Sequence, residues 1–207
     1  MPILLDKQPL ALPNYLTSHS TLSDVLKWVR TLLPAGHVIV KVEKDGEVLD
    51  GATLTQSRRL PLEDSEVSLT SGIQKDLALT MLGKLAALIE WLAPQHKEVA
   101  GELERGSTQH GLDRLGNILS AWQQIQEAYG NLARLLEISL KDLPVHEMNG
   151  ESVLNEFVRQ LSEIQGALEQ RDFVLLSDIL QYEMDGAVAN WMALLESTLG
   201  IVEPVAV

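Results

Sequence analysis

Apolar residues recur every three or four positions in four successive stretches over the last two-thirds of the chain. The stretches cover residues 78–92, 112–140, 154–168 and 176–194. This spacing places the apolar side chains of each stretch on one face of an α-helix. The connections between the stretches are short, so neighbouring helices are expected to run antiparallel. The pattern predicts a four-helix bundle over residues 73–200.

Three residues bear on the lengths of these helices. Pro94 has no backbone N–H, so it is expected to kink or end the first helix, although apolar spacing continues beyond it. Asn149 is a suitable N-cap for the third helix. The second stretch keeps its spacing as far as Leu140, which predicts a helix of about 30 residues, or about 45 Å. A helix that outreached its neighbours would leave an apolar end for a second chain or a client peptide.

The first 72 residues mix strand and helix patterns. Ser20 or Thr21 can cap a helix that Pro34 ends, and Asp45-Gly46 favours a tight hairpin turn between two strands. The expected order is strand, strand, helix, strand, short strand and strand, at residues 3–5, 10–12, 22–33, 38–43, 47–49 and 66–69.

This order of elements resembles the β-grasp (ubiquitin-like) fold. The resemblance implies either a protein-binding module or a carrier, and carriers end in a free Gly-Gly tail. Here Thr70-Ser71-Gly72 leads directly into helical periodicity, which argues against a carrier. A plain α+β cap that shields the bundle is the alternative to a recognition module. The predicted fold class is α+β, with a β-grasp-like domain at 1–72, the bundle at 73–200 and a flexible tail at 201–207.

Charge and composition narrow the classes of function. The chain has 207 residues, no cysteine and a net charge of −13, and residues 73–207 hold twenty acids against nine bases. An acidic surface repels nucleic acid and anionic lipid, because phosphate neutralisation dominates non-specific binding to either. The sequence shows no signal peptide and no uninterrupted apolar run long enough for a membrane span. We therefore expect a cytoplasmic protein without nucleic-acid or membrane partners.

The sequence contains no recognisable catalytic or cofactor motif. No histidine follows a glutamate by three residues, as carboxylate-bridged metal sites in bundles require, and Pro144 separates the Asp142–His146 pair. Phosphate-binding glycine loops and the Gly-x-Ser-x-Gly elbow are also absent from the sequence. We therefore predict no catalytic, cofactor-binding or metal-ligating residues, and a protein that is not an enzyme.

Three residues stand out as possible buried polar or interaction residues: Gln126, Tyr182 and Glu183. Gln126 interrupts the apolar stripe of the second helix, where a polar residue commonly fixes register. Glu183 lies between Leu180 and Ala187 with Tyr182 beside it. A buried carboxylate needs a hydrogen-bond partner or a proton, so a pair with Arg114 or Arg134 is one interpretation. For both Gln126 and Glu183, a partly wet position at the edge of the stripe is the other interpretation, and a ligand site is a third.

These patterns favour a non-enzymatic protein-interaction, adaptor or chaperone-like protein. Bundles of long helices also occur in bacterial secretion and flagellar-export chaperones, which are similar in architecture. The alternative is an enzyme or small-ligand binder with a pocket between the β-grasp segment and the bundle. A third possibility is a structural subunit whose only partner is itself.

The long second helix predicts self-association, with a homodimer as the expected form. Light scattering at tens of micromolar should give a mass of about twice the 22.8 kDa of one chain. A mass near that of a single chain would contradict this prediction.

Overall fold

The computed structural model describes residues 2–17, 19–49, 51–63 and 65–204. The chain divides into two compact units, Met1–Leu77 and Ala78–Val207. The first unit contains a mixed sheet and the second is helical, so the fold is α+β.

The sheet of the first unit has five strands in the order β2-β1-β5-β3-β4. Strand β1 pairs in parallel with β5, and the other neighbours pair antiparallel. The strands are β1 (Ile3–Leu5), β2 (Gln8–Pro9), β3 (His37–Lys44), β4 (Glu47–Val48) and β5 (Val67–Ile73). This mixed sheet is compatible with a β-grasp-like segment.

Helix α1 (Leu22–Arg30) supplies much of the apolar core of the first unit. Thr21 forms a capping box, in which its side chain accepts from the Asp24 N–H and the Asp24 carboxylate accepts from the Thr21 N–H. The helix buries four apolar residues against the inward side chains of the sheet. These four are Leu22, Val25, Leu26 and Val29.

The first hairpin turns sooner than the sequence suggested. Asp6 and Lys7 both have positive φ, 51° and 66°, which is the backbone of a two-residue turn that matches strand twist. The return strand therefore begins at Gln8 and not at Leu10. The Asp6 carboxylate accepts from the Ser71 N–H at 2.8 Å and from the Ser71 hydroxyl at 2.7 Å. These bonds from β5 hold the turn in place and lower the pKa of Asp6.

Two further features of the first unit differ from the prediction. A short helix, α2 (Gly51–Ser57), lies in a stretch for which the sequence predicted neither a helix nor a strand. Strand β5 continues to Ile73, and the following helix begins at Gln74, because the pairing with β3 extends through Gly72 and Ile73.

The second unit contains four helical segments. They are α3 (Gln74–Glu104), α4 (Thr108–Leu135), α5 (Gly150–Gln170) and a rod made of α6 (Phe173–Asp178), a π-helical turn (Ile179–Glu183) and α7 (Met184–Val202). A small hairpin of β6 (Pro144–Val145) and β7 (Met148–Asn149) precedes α5. Asn149 caps α5 as expected, since its side chain accepts from the Ser152 N–H at 2.9 Å.

Helix α3 continues through Pro94 and spans 31 residues. Proline removes one hydrogen bond, to the carbonyl of Glu90, and Glu90 lies on an exposed part of the helix where water can replace it. Leu92 and Val99 are fully buried on either side of the proline. Their packing keeps the helix continuous across it.

Helix α4 ends at Leu135, so the prediction of a helix as far as Leu140 is wrong. Leu136 is the C-cap, and Glu137 takes a left-handed φ of 54° that ends the helix. The apolar residues beyond it belong to a turn that packs against the bundle. Periodicity alone does not distinguish such a turn from another helical turn.

The C-terminal residues were expected to form a flexible tail at 201–207. Helix α7 includes Ile201 and Val202. Residues 205–207 of that prediction lie outside the described residues.

The capping box of α1 gives a stability test. Replacing Thr21 by Ala removes the side-chain acceptor for the Asp24 N–H and should cost about 1 kcal/mol of unfolding free energy. Thr21→Ser keeps the hydroxyl and should cost much less. Urea unfolding followed by circular dichroism measures both variants, and equal losses would contradict the capping role.

Candidate functional site

Helices α3 and α7 lie side by side and run antiparallel. Lys97, late in α3, forms an ion pair with Asp185, early in α7, with Nζ and Oδ2 2.7 Å apart. At the opposite end, Leu79 of α3 shares a cleft with Leu199 of α7. The two contacts fix the relative direction of the helices and define the seam between them.

Between these ends the seam opens into a shallow cleft, which we call the α3–α7 groove. Its volume is about 240 Å³. Eight residues line it, four from each helix: Leu79, Leu82, Gly83 and Ala86, and Met192, Leu195, Glu196 and Leu199. Almost all of the lining surface is carbon, and Gly83 widens the groove because a Cβ built there meets nothing within 4 Å.

Carboxylates border this apolar surface. Glu196 lines the groove itself, and Glu90 lies one helical turn beyond Ala86 on the same side of α3. Both residues are exposed. Neither forms an ion pair with any residue that the structure describes. The groove thus has an apolar floor with Glu196 at its rim. On α3, Glu90 lies one turn beyond the Ala86 end, and Lys75 lies one turn before Leu79 at the other end.

Helix α3 is long and apolar. Within the part of the chain that the structure describes, it is the one helix long and apolar enough to cross a membrane by length and composition, with a window of mean hydropathy 1.4. A single helix of this kind is weak support for a span, because core helices of soluble proteins pass the same test. Of that window, 28% is buried. The groove residues Leu79 and Ala86 are half-buried, and Trp91 on the same helix is exposed.

Larger clefts occur elsewhere in the protein, but both polar and apolar side chains line them. One of about 480 Å³ lies beside α1 in the first unit, between Tyr15 and Lys27. Another, of about 410 Å³, lies between α4 and α5 and includes Gln126. Both are open to solvent and carry more polar surface than the α3–α7 groove.

Gln126 lies on the partly exposed flank of α4. The buried face of this helix contains Ile118, Trp122, Ile125 and Tyr129, so its centre passes through Ile125. The sequence placed Gln126 either within the apolar stripe of this helix or at its partly wet edge. Gln126 therefore does not interrupt the buried stripe.

Tyr182 and Glu183 belong to the π-turn, and both are exposed. The arginines proposed as partners for Glu183 are engaged elsewhere. Arg114 binds Glu98 and Glu102, and Arg134 donates to the Gly130 carbonyl and to Asn131. The structure thus does not form the Glu183–arginine pair.

The neighbours of Glu183 are on α5. Partial loss of solvent around the carboxylate and the adjacent Glu163 raise the pKa of Glu183, although the residue as a whole is exposed. Glu163 is itself paired with Arg159, and the Gln160 side chain donates to the Glu183 carbonyl at 3.4 Å. This arrangement fastens the π-turn to α5. In the described part of the chain, no group of three or more acidic or histidine side chains could hold a metal ion.

One fully buried polar pair was not predicted from the sequence. His96 on α3 is 1% exposed, and its Nε2 accepts from the Trp122 indole N–H at 2.9 Å. Because Nε2 is the acceptor, the neutral ring carries its hydrogen on Nδ1. Burial disfavours the charged ring and lowers the pKa of His96 to about 4, despite an opposing effect of the Ala93 carbonyl. In the sequence, His96 is a single histidine with no motif around it, so its hydrogen bond to Trp122 could not be predicted.

The buried histidine predicts a pH dependence of stability. Between pH 6.5 and pH 4 the unfolded chain binds a proton at His96 that the folded chain does not, so stability falls as the pH falls through this window. From pH 7 to pH 4.5 the wild type should lose about 2 kcal/mol more unfolding free energy than His96→Gln. Urea titrations at both pH values measure this difference. Equal losses in the two proteins would contradict a neutral buried His96.

A comparison with known proteins places the helical unit in a family. No curated protein and no solved structure matches the chain. A family model described as "Domain of unknown function (DUF8042)" matches residues 80–194, from α3 to the part of α7 that holds Trp191 and Met192. The match covers more than half of the chain, so this protein belongs to the DUF8042 family.

Proposed function

We propose that this protein is a non-enzymatic interaction protein, an adaptor or chaperone-like protein of the cytoplasm, that binds a partner through its helical unit. The observation that carries the proposal is the α3–α7 groove. It is a carbon-lined cleft along two antiparallel helices, in which Leu79, Ala86 and Met192 remain half-buried. Such a cleft suits a helix that inserts apolar side chains at three- and four-residue spacing.

The size of the groove supports a side-chain receptor over a small-molecule pocket. Pockets that enclose drug-sized ligands commonly have about 300–1,000 Å³ and bury most of the ligand. The α3–α7 groove has about 240 Å³ and is open along its length. It has room for a few side chains of a docked helix, whose backbone would remain outside.

The first unit supports the same class of function. Its strand order, the parallel pairing of β1 with β5 and the helix α1 between the two hairpins are features of a β-grasp module. We infer that Met1–Leu77 is such a module. Because β5 is followed at once by α3, it has no free C-terminal tail of the kind that carriers use.

The proposal is tested by filling the groove without removing any native side chain. A leucine at Gly83 would project into the groove from a position where a Cβ is unobstructed. Gly116→Leu is the matched control, since Gly116 is also an exposed helical glycine with an unobstructed Cβ and lies outside the groove. Both proteins should keep the wild-type circular dichroism spectrum.

Tagged wild type and both variants are then used for affinity capture from the native cell, with quantitative mass spectrometry. We expect at least one protein to be captured by the wild type and by Gly116→Leu, and to be reduced about tenfold or more with Gly83→Leu. Identical captures with the two variants would contradict binding through the groove.

A further inference from the structure

We infer that the partner of the α3–α7 groove is a basic amphipathic helix, with an apolar stripe flanked by lysine or arginine. This inference rests on the proposed function and adds the chemistry of the partner. The apolar floor of the groove favours apolar side chains on the bound helix. The carboxylates around the groove favour positively charged residues on either side of that apolar stripe.

The carboxylates beside the groove favour a positively charged partner. Glu196 on α7 and Glu90 on α3 both border the apolar floor, and neither has an ion-pair partner among the described residues. A helix seated between them would bring its flanking positions close to both carboxylates. Lysine or arginine there would be attracted, whereas glutamate or aspartate would be repelled.

The negative charge of the fourth helical segment as a whole favours a positively charged partner too. Residues 172–207 contain six acids and no lysine or arginine. Lys97 of α3 pairs with one of these acids, Asp185, at one end of the groove. A negative surface of this kind steers cationic partners and lowers the encounter rate of anionic ones.

A second copy of this chain fits the groove poorly. Two copies meeting at α7 would bring Glu196 and the other acids of this segment together, with like charges opposed. Helix α1 has Lys27 and Arg30 in its last turn, but its apolar residues are already buried in the first unit. The self-association predicted from the sequence would therefore use another surface.

Model peptides test the inference. The probe is a dye-labelled peptide of about 18 residues with leucine at three- and four-residue spacing and lysine at the other positions. One comparison peptide has glutamate in place of every lysine, and another has the same leucines and lysines in scrambled order. Fluorescence anisotropy at near-physiological salt gives the affinity of each peptide for the full-length protein.

We expect the lysine peptide to bind about tenfold or more tightly than either comparison peptide. Its affinity should fall about fivefold in the double variant Glu90→Gln, Glu196→Gln. The control, Glu127→Gln with Glu169→Gln, makes the same change in net charge at exposed positions on α4 and α5. It should change the affinity less than about twofold. Gly83→Leu should abolish binding, and Gly116→Leu should not.

Three results would overturn the inference. Equal binding of the lysine and glutamate peptides, lost in Gly83→Leu, would leave the groove as a docking site without selection for basic helices. Binding of the lysine peptide that Gly83→Leu does not change would show general attraction to an acidic surface. Failure of the lysine peptide to bind would refute the basic helix, while the capture experiment would still decide whether the groove binds another partner.

Discussion

A cluster of buried aromatic rings holds the helical unit together, and the candidate site depends on it. Trp122 of α4 lies at its centre, with ring centroids 4.6 Å from Phe157 of α5 and 6.0 Å from Trp191 of α7. Its indole N–H donates to His96 of α3. One side chain from each of the four helical segments thus meets in a single cluster.

The same cluster determines how α3 and α7 lie beside each other at the surface. Trp191 also packs edge-on against Tyr129, whose hydroxyl lies 3.0 Å from the Thr198 hydroxyl one turn before the end of α7. These contacts fix α7 between Trp191 and Thr198. Since α3 is held in the same cluster through His96, the two helices stay side by side, and the groove between them is a consequence of that packing. Neutral His96 is part of this arrangement, because an imidazolium could not accept from Trp122.

The features that the sequence predicted well are those with strong local signals. Asn149 before α5, Thr21 before α1 and the alternating valines of β3 each act through neighbours within a few residues, so their spacing is visible in the chain. The sequence could not decide whether the row through Ile125 or the row through Gln126 is buried, because both rows keep helical spacing and only the partner helices make the difference. The expected end of α4 was wrong for a similar reason.

The groove and the His96–Trp122 bond could not be predicted in this way. Each joins side chains from two different helices, which lie at the two ends of the helical unit for the groove and 26 residues apart for the bond, and neither has a motif. The sequence candidates Tyr182 and Glu183 came from a local irregularity, which the structure shows as a π-turn. The description of the family names no activity, and a fold does not imply a function. The proposed function therefore rests on the residues of the groove.

Site-specific photo-cross-linking in the native cell is the most direct test of where a partner binds. A benzophenone amino acid would replace Leu199 in the groove or, as the matched position, Tyr182, which is more exposed at 69% against 39%. The account predicts a cross-linked partner from position 199 and none from position 182. Cross-linking from position 182 alone, or equally from both, would contradict the groove as the binding site.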